Sequence, residues 1–361
     1  MTHSDGLKNI IVETTELSTI INDNLYYCGY PIEDLLSDGT PFESVIALLW
    51  SKSLPTAELR CALNKSLNTH LHLSADTVLA LTQGIHQGID PYSLLISRLA
   101  CFKAFPVSGG AGFDAETALL AHLSALICAL HRLTQHQPIL EPIQDRPFHE
   151  NLLYLLLGRA YTPLHAFHFN RMMILHADLE LNASTFAVRI NASTQADLVS
   201  NLLCGLATLR GPLHGGACER VWNMMTQLMQ ENSFEEQLQE MLNHHELIMG
   251  FGHRIFVRHD PRVSWIKDSL NHLDLTKSDQ LRYQRSMEIE SFLAHEKGLI
   301  PNIDYYSGIV YHSFGVAPDF YPLLFALSRS AGWIAHANEQ RSHAHIIHPR
   351  AAYTGSFHSR S

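Results

Sequence analysis

Apolar residues recur three and four positions apart along most of this chain, and that spacing restricts it to helices. Residues 117–133 carry Leu119, Leu120, Leu123, Leu126, Ile127, Leu130 and Leu133, which gives one apolar helix face. Val221, Met224, Met225, Leu228 and Met229 repeat the pattern, with the methionines as core filler. Phe148–Leu157 predicts an apolar helix stopped at Gly158, and Pro163–Asp178 another that delivers His176 near its end. A last long helix is expected over 320–340, with Leu323, Leu327 and Ile334 on its inner stripe and Arg329 pointing well away from them. Residues 230–246 and 267–297 are polar with scattered apolar anchors and read as surface helices. Thr40-Pro41-Phe42-Glu43 resembles a capped helix start, and Ser53–Thr56 breaks the chain before Ala57–Leu67 resumes helical spacing. Gln135–Pro147, with its prolines, is a loop. β-like runs are confined to residues 7–30, where Ile10-Ile11-Val12 and Leu25-Tyr26-Tyr27 flank Asn22-Asp23-Asn24 as a small hairpin or two extended pieces. The expected fold is all-α with a small N-terminal β element.

A chain of 361 residues usually divides into two domains, and 46% hydrophobic with 17% charged residues is a globular composition. The net charge of −10 excludes nucleic-acid binding as the main task. Six cysteines without paired spacings predict reduced, buried thiols in a cytoplasmic protein. Met1–Gly6 is polar and lacks the apolar core of a signal peptide, and no apolar run of about 18 residues predicts a membrane span. Histidine is unusually frequent, at 24, but His-Glu-x-x-His spacing is absent. The tail histidines His343, His345 and His348 read as a solvated segment, and no metal site is expected.

Two histidines sit among glycines, in Arg210-Gly211-Pro212-Leu213-His214-Gly215-Gly216 and in Ile248-Met249-Gly250-Phe251-Gly252-His253-Arg254. Glycine removes Cβ bulk and lets the backbone turn, which would admit a ligand closely. Pro301-Asn302-Ile303-Asp304 adds a carboxylate. An aspartate and two histidines are the parts needed to move a proton from carbon to oxygen, and arginines such as Arg262 and Arg329 would hold carboxylate substrates. A histidine beside glycine is otherwise a structural hydrogen-bonder, and arginines otherwise face solvent. Gly250-x-Gly252 is not a dinucleotide fingerprint, since it lacks the third glycine, the preceding strand and the downstream acid.

These motifs, with Asp260-Pro261-Arg262 and Tyr306-Ser307-Gly308, closely resemble citrate synthases. Gly29–Leu35, Leu48-Leu49-Trp50, Ile174–Asp178, Glu180–Thr185, Phe325–Arg329, Gly332-Trp333 and Glu339-Gln340 extend the resemblance in order over residues 6–355, most like the short bacterial homodimeric form. It implies a large domain (1–215 and 316–361) and a smaller mobile one (216–315). Asp304 would take a methyl proton from acetyl-CoA, His214 would hydrogen-bond the enol oxygen, and His253 would polarise the ketone of oxaloacetate. The resemblance assigns Arg262, Arg329 and His176 to the substrate, and Phe251, Gly252, Arg258 and Lys297 to CoA. It implies acetyl-CoA, or another acyl-CoA, as co-substrate, with no permanently bound cofactor and no metal.

Two positions depart from the family pattern. Leu179 stands where a second histidine of the His-Ala-Asp-His-Glu motif contacts oxaloacetate. His348 stands for the first arginine of an Arg-Pro-Arg that reaches into the neighbouring subunit's site. Cys218 is a lesser change, where asparagine is common. A hydrogen bond to a charged group contributes about 1.5–3 kcal/mol, so two losses cost roughly a hundred- to ten-thousandfold in affinity or rate. Three readings follow: a citrate synthase with altered oxaloacetate contacts; a 2-methylcitrate synthase or other acyl-CoA/2-oxo acid condensing enzyme; or a non-catalytic paralogue that binds CoA or pairs with a second synthase chain. Retention of Asp304 counts against the last.

Overall fold

The computed structural model of the protein describes Leu7 and residues 10–103, 112–158, 161–229, 233–256 and 258–356. The chain opens with three antiparallel strands, β1 (Ser18–Ile21), β2 (Asn24–Tyr27) and β3 (Tyr30–Pro31), in sequential order. Helices then follow one another: α1 (Ile32–Ser37), α2 (Phe42–Ser51), α3 (Ala57–Thr69), α4 (Ala75–His86), α5 (Pro91–Ala100), α6 (Asp114–Thr134), α7 (Phe148–Leu157) and α8 (Pro163–His176). The series continues with α9 (Ala183–Ser193), α10 (Leu198–Leu209), α11 (Ala217–Leu228), α12 (Phe234–Asn243), α13 (Pro261–His272), α14 (Lys277–Lys297), α15 (Ile303–Ser313) and α16 (Tyr321–His343). The all-α expectation holds.

The first strand is not Ile10-Ile11-Val12, which stays exposed outside the sheet. β1 begins at Ser18 because its anchors lie there: Ser18 Oγ donates to Asp178, and Ile20 pairs with Leu25 in the β2 register. Asn22 and Asp23 take the left-handed conformation, φ 53° and 63°, that closes a tight two-residue hairpin turn. Tyr27 Oη accepts the Asp178 N–H at 3.2 Å, so the hairpin is fastened to the segment just after α8.

Helix α2 starts at Phe42, and Thr40 does not cap it. The Phe42 N–H donates instead to Asn170 Oδ1 at 2.7 Å, while Asn170 Nδ2 donates back to the Thr40 carbonyl at 2.9 Å. Glu43 turns to His149 at 3.0 Å. A side chain from α8 thus does what the local sequence was expected to do.

Helix α6 is covered all round rather than on one face, from Thr117 to Arg132 with few gaps. It is long and apolar enough to cross a bilayer, contrary to the expected lack of such a run, but 83% of the apolar window is buried inside the fold. Such a helix is a core helix. Helix α16 is likewise enclosed, so Arg329, which leaves the Leu323–Ile334 stripe as expected, points into protein. Met229 is only half-buried beside the covered face of α11. All six cysteines are free; Cys128 and Cys218 are buried, whereas Cys61 and Cys101 are exposed.

α16 packs against α9 and α10, and α11, α13 and α14 gather around α15. These two groups carry the ends of α8, α15 and α16 to one place. There the chemistry collects.

Candidate active site

His214, His253, Asp304, Arg262, Arg329 and His176 all line one cavity of ≈160 Å³, together with Leu179, Asn182, Cys218, Tyr311, Tyr321 and Phe325. A larger recess of ≈680 Å³ lies elsewhere, between the loop before α2, α7 and α8. Several of its polar groups are engaged with protein, Arg146 with Tyr161, His149 with Glu43 and Asn170 with Thr40 and Phe42. The smaller cavity holds the reactive groups.

Hydrogen bonds lace the second glycine–histidine segment to the residues just before Asp304. Gly252 N–H donates to the Ile300 carbonyl at 2.8 Å, Asn302 N–H to the Gly250 carbonyl at 2.8 Å, and Asn302 Nδ2 to the Gly252 carbonyl at 3.0 Å. Asn302 also caps α15 by accepting the Asp304 N–H at 3.0 Å. The glycines serve packing more than ligand approach. A Cβ at Gly215 would meet the Leu209 carbonyl oxygen at 2.2 Å, and Gly250, at φ +81°, lies against Val221 and Tyr305 within 3 Å.

For His253 and His176 the backbone places the proton. His253 Nδ1 accepts the Ile255 N–H at 3.1 Å and the Phe256 N–H at 3.0 Å, so its own proton is on Nε2. His176 Nδ1 faces the Met172 carbonyl at 2.8 Å, so that nitrogen holds the proton. His214 Nε2 lies 2.8 Å from Ser184 Oγ, which also receives the Trp333 N–H at 3.3 Å. Ser184 Oγ also lies 2.8 Å from Asn182 Oδ1, so its single proton goes to one of two acceptors, and only in the arrangement in which it goes to His214 does the imidazole carry its own proton on Nδ1. Burial pushes His214 and His253 down to about 4 and His176 to about 3, so all three are neutral near pH 7.

Asp304, at the start of α15, is half-buried and lines the cavity. Burial raises its carboxyl to about 6, against the pull of the Arg262 guanidinium and with a push from Asp260. Asp260 grips Arg262 in fork fashion, at 2.8 Å to Nε and 2.7 Å to Nη2, and accepts the Ile303 N–H at 3.1 Å. That ties Arg262 on α13 to the first turn of α15. Arg329 Nε donates to the His176 carbonyl at 2.8 Å, while its Nη2 is buried without a hydrogen-bond partner among the described residues. An unpaired buried guanidinium nitrogen is costly unless an anion comes to it. Burial lowers Arg329 to about 10, so it remains a cation.

Other expected contacts fall differently. His176 is in the wall, but its one N–H is committed to Met172, so it offers a ligand only a lone pair. Phe251 packs edge-on against Tyr305, 4.5 Å between centroids. Gly252 has open space around it. Arg258 is exposed and paired with Asp23 of the hairpin at 3.0 Å, and Lys297 is exposed at the end of α14. His348 lies on the exposed tail and does not line this chain's own cavity. Sequence reasoning assigned no role to Ser184, Tyr311 or Tyr321. Only Ser184 stood in a noticed motif. Among the described residues, no three His, Cys, Asp or Glu side chains gather as a metal site.

A carboxyl group poised near neutrality, proton donors of neutral charge and a buried cation seeking an anion belong to an α-helical enzyme for acid–base chemistry on carboxylate-bearing substrates. Comparison with known proteins makes the class specific. A family model described as "Citrate synthase, C-terminal domain" matches residues 6–350, and the chain belongs to the citrate synthase family. It is 35% identical to "Citrate synthase 2" of Bacillus subtilis, over 98% of this chain and 96% of that protein. It is 30% identical to "Citrate/2-methylcitrate synthase" of the same organism, over 98% and 96%. Its fold matches the ternary complex of Thermoplasma acidophilum citrate synthase with carboxymethyl coenzyme A and oxaloacetate, with a TM-score of 0.88 and 28% identity over 100% of this chain and 98% of that one.

Proposed function

We propose that this protein condenses acetyl-CoA with oxaloacetate to give citrate and free CoA. The observation that carries the reading is Asp304, a carboxylate raised to about 6 in one cavity with two neutral histidines and two buried arginines. Arg262 and Arg329 hold the oxaloacetate carboxylates; the unpartnered Nη2 of Arg329 awaits one of them. Asp304 takes a methyl proton from the acetyl thioester, and His214, protonated on Nδ1 with Ser184 behind it, donates to the enol oxygen. The enol carbon attacks the ketone, and His253 gives its Nε2 proton to the new alkoxide. Water then cleaves the citryl thioester. His176 and Leu179 shape the acceptor side, and Phe251, Gly252, Arg258 and Lys297 face CoA once the cleft closes.

In this reading residues 216–315, which contain α11 to α15, move as a small domain against 1–215 and 316–361. The protein works as a cytoplasmic homodimer in which His348 approaches the neighbouring subunit's cleft. Propionyl-CoA in place of acetyl-CoA is the second reading, supported by the relative named citrate/2-methylcitrate synthase. Nothing among the relatives favours a binding-only paralogue.

The test is thiol release from acetyl-CoA and propionyl-CoA with a panel of 2-oxo acids, beside Asp304→Asn. Acetyl-CoA with oxaloacetate should release CoA well above the variant. If no pair does so, the condensation reading fails.

A further inference from the structure

Beyond α16 the chain turns at Ala344, φ 54°, and runs exposed through His348 and Arg350, with Ile346 61% and Tyr353 68% accessible. One clamp governs where this tail starts. Glu13 Oε2 lies 3.0 Å from His345 Nε2, and Glu13 Oε1 lies 3.5 Å from His343 Nδ1. The two imidazoles stack, with centroids 5.9 Å apart and planes 13° from parallel. His345 Nδ1 also points at the His343 carbonyl at 3.2 Å. Both ring nitrogens of His345 therefore face acceptor-only groups, and only the imidazolium satisfies both.

Glu13 is mounted on the core. The next carbonyl, that of Thr14, accepts Arg189 Nη2 at 3.0 Å, and Arg189 is fully buried between Glu339 at 2.6 Å, Gln340 at 2.8 Å and His336 at 3.0 Å. Glu16 N–H donates to Glu339 at 2.9 Å. The Glu13 carboxylate is only 9% exposed. Farther out, the tail is tied down by Ile347 N–H to Ser193 Oγ at 3.1 Å.

We propose that Glu13 is a positioning residue for the condensation, gripping cationic His345 to aim the tail that carries His348 and Arg350 toward the partner subunit's cleft. This rests on the reading above, in which the tail completes the neighbouring site. The groups facing the pair are His343 at the end of α16, Arg189 on α9 and the Thr14 amide. Glu13's hydrogen bond holds His345 above the ordinary imidazole value. For Glu13 burial pushes upward, but the His345 bond, the Thr14 amide and the His345 and Arg189 charges together outweigh it and keep the carboxyl below its ordinary value. The grip is thus intact at mildly acidic pH and released as pH rises through the elevated His345 value.

The experiment compares Glu13→Gln with its parent in a full-length His348→Arg background, where the tail carries a fixed guanidinium charge. The oxaloacetate KM is read by thiol release from pH 6 to 9, with melting temperature and dimer mass alongside. At pH 6.5 the KM should rise about fivefold, with little effect on kcat, and the two proteins should converge at pH 9. Melting and dimer mass should change little, because the His345 partner is 55% exposed and an ion pair open to solvent on one side contributes little to stability. Equal KM at pH 6.5, or a KM raised equally at every pH, overturns the clamp. His348→Ala and Arg350→Ala separate the two ideas. If neither changes the KM, the tail reading fails and takes the clamp with it; if they do and Glu13→Gln does not, the clamp alone is wrong.

Discussion

Leu179→His is the substitution with the most to say about substrate choice. Leu179 is 8% exposed and lines the same cavity as His176, Asn182 and Arg329. Removing a buried leucine forfeits about 1.5–3 kcal/mol of apolar burial, partly recovered by the ring that replaces it. The unliganded protein should therefore melt a few degrees lower. A new hydrogen bond to a bound carboxylate contributes about 1.5–3 kcal/mol, which lowers the oxaloacetate KM roughly ten- to hundredfold. The two effects separate because KM is read on folded protein. The assay is thiol release against oxaloacetate at pH 6.5 and 8, beside a thermal melt. Adding His348→Arg should extend the gain to pH 8, because a guanidinium is a cation at both pH values. If Leu179→His folds and turns over but its oxaloacetate KM is unchanged at both pH values, Leu179 does not face the acceptor.

Asp304 predicts opposite effects on activity and stability. Its base form disappears as pH falls through about 6, so kcat/KM should drop about tenfold per unit below that point, and a profile flat to pH 4.5 would remove Asp304 as the base. Its folded pKa lies above the ordinary 3.8, so the folded state binds the extra proton, and stability is lost as pH rises from about 4 through 6. Asp304→Asn should abolish turnover yet stabilise the free enzyme at pH 8 by at most about 3 kcal/mol, since water in the cleft offsets part of the burial cost, with no gain at pH 4. A lower melting temperature at pH 8 would contradict this. Ser184→Ala removes the hydroxyl behind His214 Nε2 and should lower kcat about tenfold with the oxaloacetate KM little changed; an unaltered kcat would show that His214 needs no such partner.

The helical architecture was legible because apolar spacing is local: α7 begins and ends where Phe148–Leu157 predicted it. The errors arose where distant residues decide. Thr40 had the right chemistry for a cap, but Asn170, 128 residues away from the Phe42 it caps, reaches the amide first. Ile10-Ile11-Val12 has more strand-like side chains than Ser18–Ile21, yet strand position is set by Asp178, which takes Ser18 and meets Tyr27. Arg329 illustrates the limit best. Its departure from the apolar stripe was readable, and in a chain of average helices that means solvent. Here α16 is enclosed on every side, so the same direction leads into the cleft.

The site extends that lesson to protons. His176, buried, and His253, half-buried, are both neutral imidazoles lining one cavity, and nothing in their residue type separates them. The Met172 carbonyl takes the proton of His176 at Nδ1, leaving an acceptor toward the cavity. Two backbone N–H groups occupy Nδ1 of His253, leaving a donor. The carbonyl of the same His176 holds Arg329, and the Asp260 that holds Arg262 also receives the first amide of α15, beside Asp304. Backbone groups thus decide which histidine can polarise a ketone, and side chains on α13 and α16 are registered to the base by those same backbone groups. Replacing His253 by a residue without a Nδ1-like acceptor would therefore strand the Ile255 and Phe256 amides as well as the ketone. A loss of loop order with a loss of rate is the expected signature, whereas removal of a donor alone would cost rate and leave the loop in place.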